Sequence, residues 1–159
     1  MRLNKLKFSR IKTIRDGMSD CLVKLDRVSN VISNSKDNNV IEDYTSAFRH
    51  YIIDYNELLF SCVYQICRSL GTNYIDSKNI KGIYKCVSAK YLSVNDKNFY
   101  MLLCNYGINA SCRYNHPDTK ELIEFYDKYK ISLSQLVKDL DFLLEGSRRK
   151  RTLSEQKLN

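Results

Sequence analysis

Seven apolar residues, Ile11, Ile14, Met18, Cys21, Leu25, Val28 and Ile32, recur at spacings of 3-4-3-4-3-4. An α-helix places such a set on one line, so the spacing predicts a helix from about residue 9 to 33 with a narrow apolar seam. Gly17 lies inside that seam and weakens an autonomous coiled coil. Packing of the seam against the next helix of the same chain is therefore expected, with a homodimer through this helix as the alternative.

The rest of the chain continues in the same style. It contains one proline, Pro117, and five glycines in 159 residues, and few breakers over such a length favour helix. Asn34–Asn39, rich in Asn, Ser and Asp, reads as a loop. Tyr44, Phe48, Tyr51, Ile52, Tyr55, Leu58, Leu59, Cys62, Val63, Ile66 and Leu70 then form a stripe too wide for one neighbour. That stripe marks a central helix over about 41 to 70, with Gly71 as its C-terminal cap.

A third helix is expected over about 78 to 92, with Ile80, Ile83, Tyr84, Val87 and Tyr91 on one side. A fourth, capped by Asn95, buries Phe99, Leu102, Leu103, Tyr106 and Ala110. Pro117 breaks it, and His116 or Asp118 caps a fifth helix over about 118 to 129 that presents Leu122, Phe125 and Tyr126. Ser132 and Gln135 stand in capping-box spacing and open a sixth, carrying Leu133, Leu136, Val137, Leu140, Leu143 and Leu144 until Gly146. No clean period-2 alternation, internal repeat or low-complexity tract is present. The expected fold is an all-α, single-domain bundle of five or six helices over residues 1–146. Residues 1–10 form a basic arm leading into the first helix, and 147–159 a basic, flexible tail.

Charge is concentrated at the two ends. Arg2, Lys5, Lys7, Arg10, Lys12 and Arg15 stand in the first fifteen residues with no acid among them. Arg148, Arg149, Lys150, Arg151 and Lys157 face only Glu155 in the last twelve, so the body of this net +8 chain is slightly acidic. A scaffold with cations on its edges points to an electrostatic partner, either RNA or DNA or an acidic protein surface. The reading excludes membrane insertion, because no apolar run approaches the roughly 20 residues that span a bilayer. The basic first segment has no apolar stretch after it, so no secretory signal is read there. Cys21, Cys62, Cys67, Cys86, Cys104 and Cys112 lie in or beside apolar stripes and read as reduced core thiols of a cytoplasmic protein.

Catalytic parts are scarce. His50 and His116 are the two histidines, and no Cys-x-x-Cys pair, Gly-rich phosphate loop, G-x-S-x-G or H-E-x-x-H pattern occurs. No metal or cofactor site is read. His50 is expected half-buried against a carboxylate such as Asp54. Tyr44, Tyr51, Tyr55 and Tyr64 offer either a stacking surface or, at their helical spacing beside Phe48 and Leu58, core packing.

Arg113-Tyr114-Asn115-His116-Pro117 joins a cation that could hold phosphate to an imidazole that could move a proton. An arginine and a histidine at a helix junction of a small bundle are faintly similar to the HEPN ribonucleases of bacterial toxin and defence systems. That family separates the two by four to six residues, usually following Arg-Asn; here two intervene and Asn115 directly precedes His116.

The expected function is thus a small, non-enzymatic, regulatory or adaptor module that binds through its basic ends. The alternatives are a HEPN-like ribonuclease using Arg113 and His116, and a structural subunit that docks a larger assembly through the seam of the first helix.

Overall fold

The computed structural model describes residues 8–71, 80–109 and 117–158, with side chains described over 8–71, 80–107 and 117–146. Among them are five helices and no strand: α1 (Phe8–Asn34), α2 (Asn38–Ser69), α3 (Ile80–Ser88), α4 (Lys97–Asn109) and α5 (Thr119–Leu158). The all-α bundle read from the sequence is the fold observed.

Every residue of the α1 seam is buried, from Met18 and Leu25 at 0% exposed to Ile32 at 8%. Burying a side chain of this kind contributes about 1.5–3 kcal/mol of transfer free energy, much of it offset by lost chain entropy. The partners of the seam are α2 and α5 of the same chain. A three-residue loop folds α1 back on α2, with Lys24 over the ring of Tyr51 at 5.5 Å. Gly17 permits the close approach, since a Cβ there would stand 2.9 Å from Leu58 Cδ1.

The wide stripe of α2 has the predicted consequence: α2 packs against all four other helices. Asp37 caps its start, accepting from Asn39 N–H at 2.9 Å. Gly71 closes its end with φ +75°, and its N–H donates to Arg68 O, which is the glycine-closed turn the sequence suggests.

Four expectations need correction. α3 stops at Ser88, short of 92, because Lys90 enters the left-handed region at φ 63° and Tyr91 N–H donates back to Cys86 O at 2.9 Å. This is a Schellman closure built without glycine. Asp96, not Asn95, caps α4, with its carboxylate accepting from Phe99 N–H at 3.1 Å. Ser132 begins nothing: α5 is continuous from Thr119 through both expected helices, and Gln135 instead donates to Asp139 at 3.1 Å. The stripe Leu122, Phe125, Tyr129, Leu133, Leu136, Leu140 never loses its 3-4 period, and no breaker interrupts it. Nor does Gly146 end the helix, whose backbone continues to Leu158. The Ala110 expectation lies outside the described residues.

α5 starts where Asp118 accepts from Glu121 N–H at 2.8 Å, and its first part is held to α2. Thr45 and Thr119 share a hydroxyl hydrogen bond of 2.8 Å. Arg49 Nε donates to Pro117 O at 2.9 Å, and fully buried Tyr55 donates to Leu133 O at 2.7 Å.

Two glycines should respond oppositely to alanine. A Cβ on Gly107 would lie 1.4 Å from Nδ2 of buried Asn56, which donates across the α2–α4 contact to Leu103 O at 3.0 Å. Gly107→Ala is expected to cost about 1–3 kcal/mol in urea unfolding, and combining it with Asn56→Ala should cost less than the sum of the two single changes. A Cβ on Gly146 meets nothing within 4 Å, so Gly146→Ala should gain up to about 1 kcal/mol. Equal effects at the two positions would refute this packing.

Candidate functional site

Two contacts set the direction of α1 against α5. Tyr126 donates to Asp26 at 3.0 Å, and Arg15 pairs with Asp141. As the number rises in one helix it falls in the other, so the pair is antiparallel. The start of α1 therefore lies beside the stretch of α5 that leads into Arg148, Arg149, Lys150 and Arg151. Among the described residues, Arg10, Lys12 and Arg15 thus stand at the end of the bundle towards which α5 carries its backbone into Arg148–Arg151.

The predicted cations take different roles there. Arg10 and Lys12 are exposed. Arg15 is committed to the fold: its guanidinium bonds Asp16 at 2.8 Å and Asp141 across the helix pair. Those hydrogen bonds, Asp16 first, raise it further above its ordinary value. Lys12, Arg15, Asp141, Leu144 and Glu145 line a crease between the two helices. Arg2, Lys5 and Lys7 lie outside the described residues, and Arg148–Arg151 follow on the continuing backbone of α5.

Arg113 and His116 also lie outside the described residues. What the structure places next to that motif is Arg49, half-buried on α2, whose bond to Pro117 O ties the start of α5 to the centre of the bundle. Desolvation lowers its basicity, while Asp118 and Glu42 work in the other direction. Its neighbour His50 is exposed, which corrects the half-buried expectation: the apolar face of α2 runs through Phe48, Ile52 and Tyr55, and position 50 points away from it.

The four tyrosines of α2 do not form one stacking platform. Tyr55 is fully buried, Tyr51 is half-buried beneath Lys24, and Tyr44 and Tyr64 are 37% and 40% exposed. Tyr64 lies nine residues from Tyr55, half a helical revolution away.

The seam of α1 is wholly consumed inside the chain. The interior instead holds an arrangement that periodicity did not disclose. Asp139, on α5, is 8% exposed. It accepts from Ser93 N–H and Ser93 Oγ, each at 2.8 Å, and from Gln135 Nε2 at 3.1 Å. The carboxylate thereby clamps the α3–α4 connection onto α5. The available signal was its register, since position 139 lies between Leu136 and Leu140 on the stripe.

Cys21, Cys62, Cys67 and Cys86 are buried thiols, and Cys104 is partly buried; Cys112 is outside the described residues. Among the described residues no three His, Cys, Asp or Glu side chains are grouped to hold a metal ion. No helix there is long and apolar enough to cross a membrane.

Comparison of the chain with protein-family models, with characterised proteins and with solved structures returned no significant match.

Burial pushes the Cys62 thiol up to about 12 and those of Cys21 and Cys104 up to about 11, from an ordinary 9.0. A thiol at 11 is about one part in a thousand thiolate at pH 8. Ellman's reagent at pH 8 should therefore leave Cys21 and Cys62 unmodified until denaturant is added, as peptide mapping will show. Above about pH 9 the unfolded chain sheds thiol protons that the fold retains. Stability should then decline as pH rises from 9 towards 11–12. Rapid native labelling of Cys62, or urea midpoints unchanged between pH 8 and 10.5, would contradict this assignment.

Proposed function

We propose that this protein is a small, non-enzymatic helical binding module, regulatory or adaptor in character, that engages nucleic acid through its basic end. The observation that carries this reading is the antiparallel pairing of α1 with α5, which sets Arg10 and Lys12 at the end of the bundle towards which the α5 backbone leads into Arg148–Arg151. A polyanion with regularly spaced charges gains most from such a cluster, because each neutralised phosphate releases condensed counterions. An acidic protein surface is the other partner of matching sign. Buried thiols support a reducing, cytoplasmic setting.

The test is binding of labelled DNA and RNA across a salt series. Log affinity should fall steeply with log salt, with a slope near −0.9 per phosphate neutralised on a duplex. Arg10→Gln and Lys12→Gln should each reduce that slope by about one. Arg15→Gln should reduce it far less, since Arg15 is already neutralised by Asp16 and Asp141. Replacing Arg148–Arg151 with glutamine should remove most of the binding. Absence of binding at low salt would sink the nucleic-acid reading and leave the acidic protein surface.

A further inference from the structure

Phe142 is a phenylalanine left 77% exposed on α5. It is held there by rigid structure. Leu140 is 1% exposed, and Leu143 and Leu144 pack against the core, so the rotation of the helix is fixed on both sides of it. One turn earlier, on the same line of α5, stands exposed Lys138. Less than two turns later in the sequence the run Arg148–Arg151 begins. The adjacent carboxylate of Asp141 is taken by Arg15, and Glu145 lines the crease with Lys12.

An exposed aromatic ring one turn from a lysine, on a helix whose backbone continues into a basic run, is the minimal platform for an unpaired base. The ring has a π-face and no polar group, so it recognises bases irrespective of sequence. A duplex keeps its base faces stacked inside and offers only phosphates to this end of the bundle. Among the described residues the other hydrophobics more than half exposed, Ile131, Val23 and Met101 at 78%, 67% and 52%, are not aromatic, and the exposed tyrosines Tyr44 and Tyr64 lie on α2. Ile131 lies eleven residues, or about 16 Å, back along α5, away from the basic end.

We infer that the basic end takes single-stranded nucleic acid, with Phe142 stacking against a base while Lys138 and the basic run that follows in the sequence hold the phosphates. This rests on the nucleic-acid reading above, and its test separates the two.

The experiment uses the full chain with a fluorescent oligothymidine or oligouridine and with a matched duplex, at one low salt concentration. Wild-type protein should prefer the single strand. Phe142→Ala should lose about tenfold in single-strand affinity, with duplex affinity and the salt slope unchanged; circular dichroism confirms the fold. The chain has no tryptophan, so Phe142→Trp introduces a unique reporter. It should retain affinity, and its emission should be quenched by the single strand and not by the duplex.

Unchanged single-strand affinity in Phe142→Ala, or no quenching in Phe142→Trp despite binding, overturns the stacking role and leaves the basic end as a phosphate contact. A duplex preference overturns the single-strand assignment. Failure of wild-type protein to bind either form overturns the nucleic-acid reading itself and turns attention to an acidic protein docking over Phe142.

Discussion

The constraint that organises this molecule is the burial of α2. Over its C-terminal half, Cys62, Val63, Gln65, Ile66, Cys67 and Ser69 are all buried, which leaves few positions facing water. A helix apolar around most of its circumference is stable only when other elements enclose it, and α1, α3, α4 and α5 do so. Two of those neighbours, α1 and α5, then touch each other alongside it. The placing of the start of α1 beside the later part of α5 follows from that enclosure: α1 returns antiparallel to α2, while α5 runs with α2 from the Thr45–Thr119 contact to the bond between Tyr55 and Leu133.

Apolar stripes fix which faces meet; they fix less well how far each helix slides and turns. The buried polar groups supply that information. Tyr55 must find an acceptor once it is fully enclosed, and it finds Leu133 O; its hydroxyl is held well above its ordinary pKa, chiefly by burial. Asp139 finds donors in Ser93 and Gln135. A shift of one helical turn would orphan these groups, at about 1–3 kcal/mol for each unsatisfied partner. The same rotation of α5 that satisfies Asp139 turns Phe142 outwards, so the exposed ring and the buried carboxylate are consequences of one register.

Much of this was legible in the chain. The seven seam residues of α1 are all buried, because a 3-4 spacing is a direct geometric statement about a helix. The breadth of the α2 stripe announced a central helix for the same reason. Errors arose where a local signal competed with a longer one. Ser132 with Gln135 imitates a capping box, and Gly146 imitates a stop, yet each sits in an apolar period that runs on undisturbed, and packing outweighs propensity. Lys90 shows the converse, a helix stop that no glycine marks. The sequence also displayed two basic segments without revealing that the start of α1 and the later part of α5 lie at the same end, since helix direction is decided by tertiary contacts. It marked Arg15 as one cation among eleven at the two ends and could not separate it from Lys12, because Asp141 lies 126 residues away.

Gathering like charges at one end carries an energetic consequence for the fold itself. Arg10, Lys12 and Arg15 begin a helix, where the macrodipole already places partial positive charge, and no acid stands in the first turn of α1 to offset it. Asp16, Asp141 and Glu145 are the carboxylates that stand against this build-up. Asp16 and Asp141 are both spent on Arg15, and Glu145 lines the crease beside Lys12. These exposed pairs contribute little individually. Their effect is to place the compensation inside the α1–α5 crease, leaving the outer cations uncompensated. A polyanion bound there, as proposed, would supply charge that the fold lacks, and its binding would be linked to the stability of the helix ends that present the site.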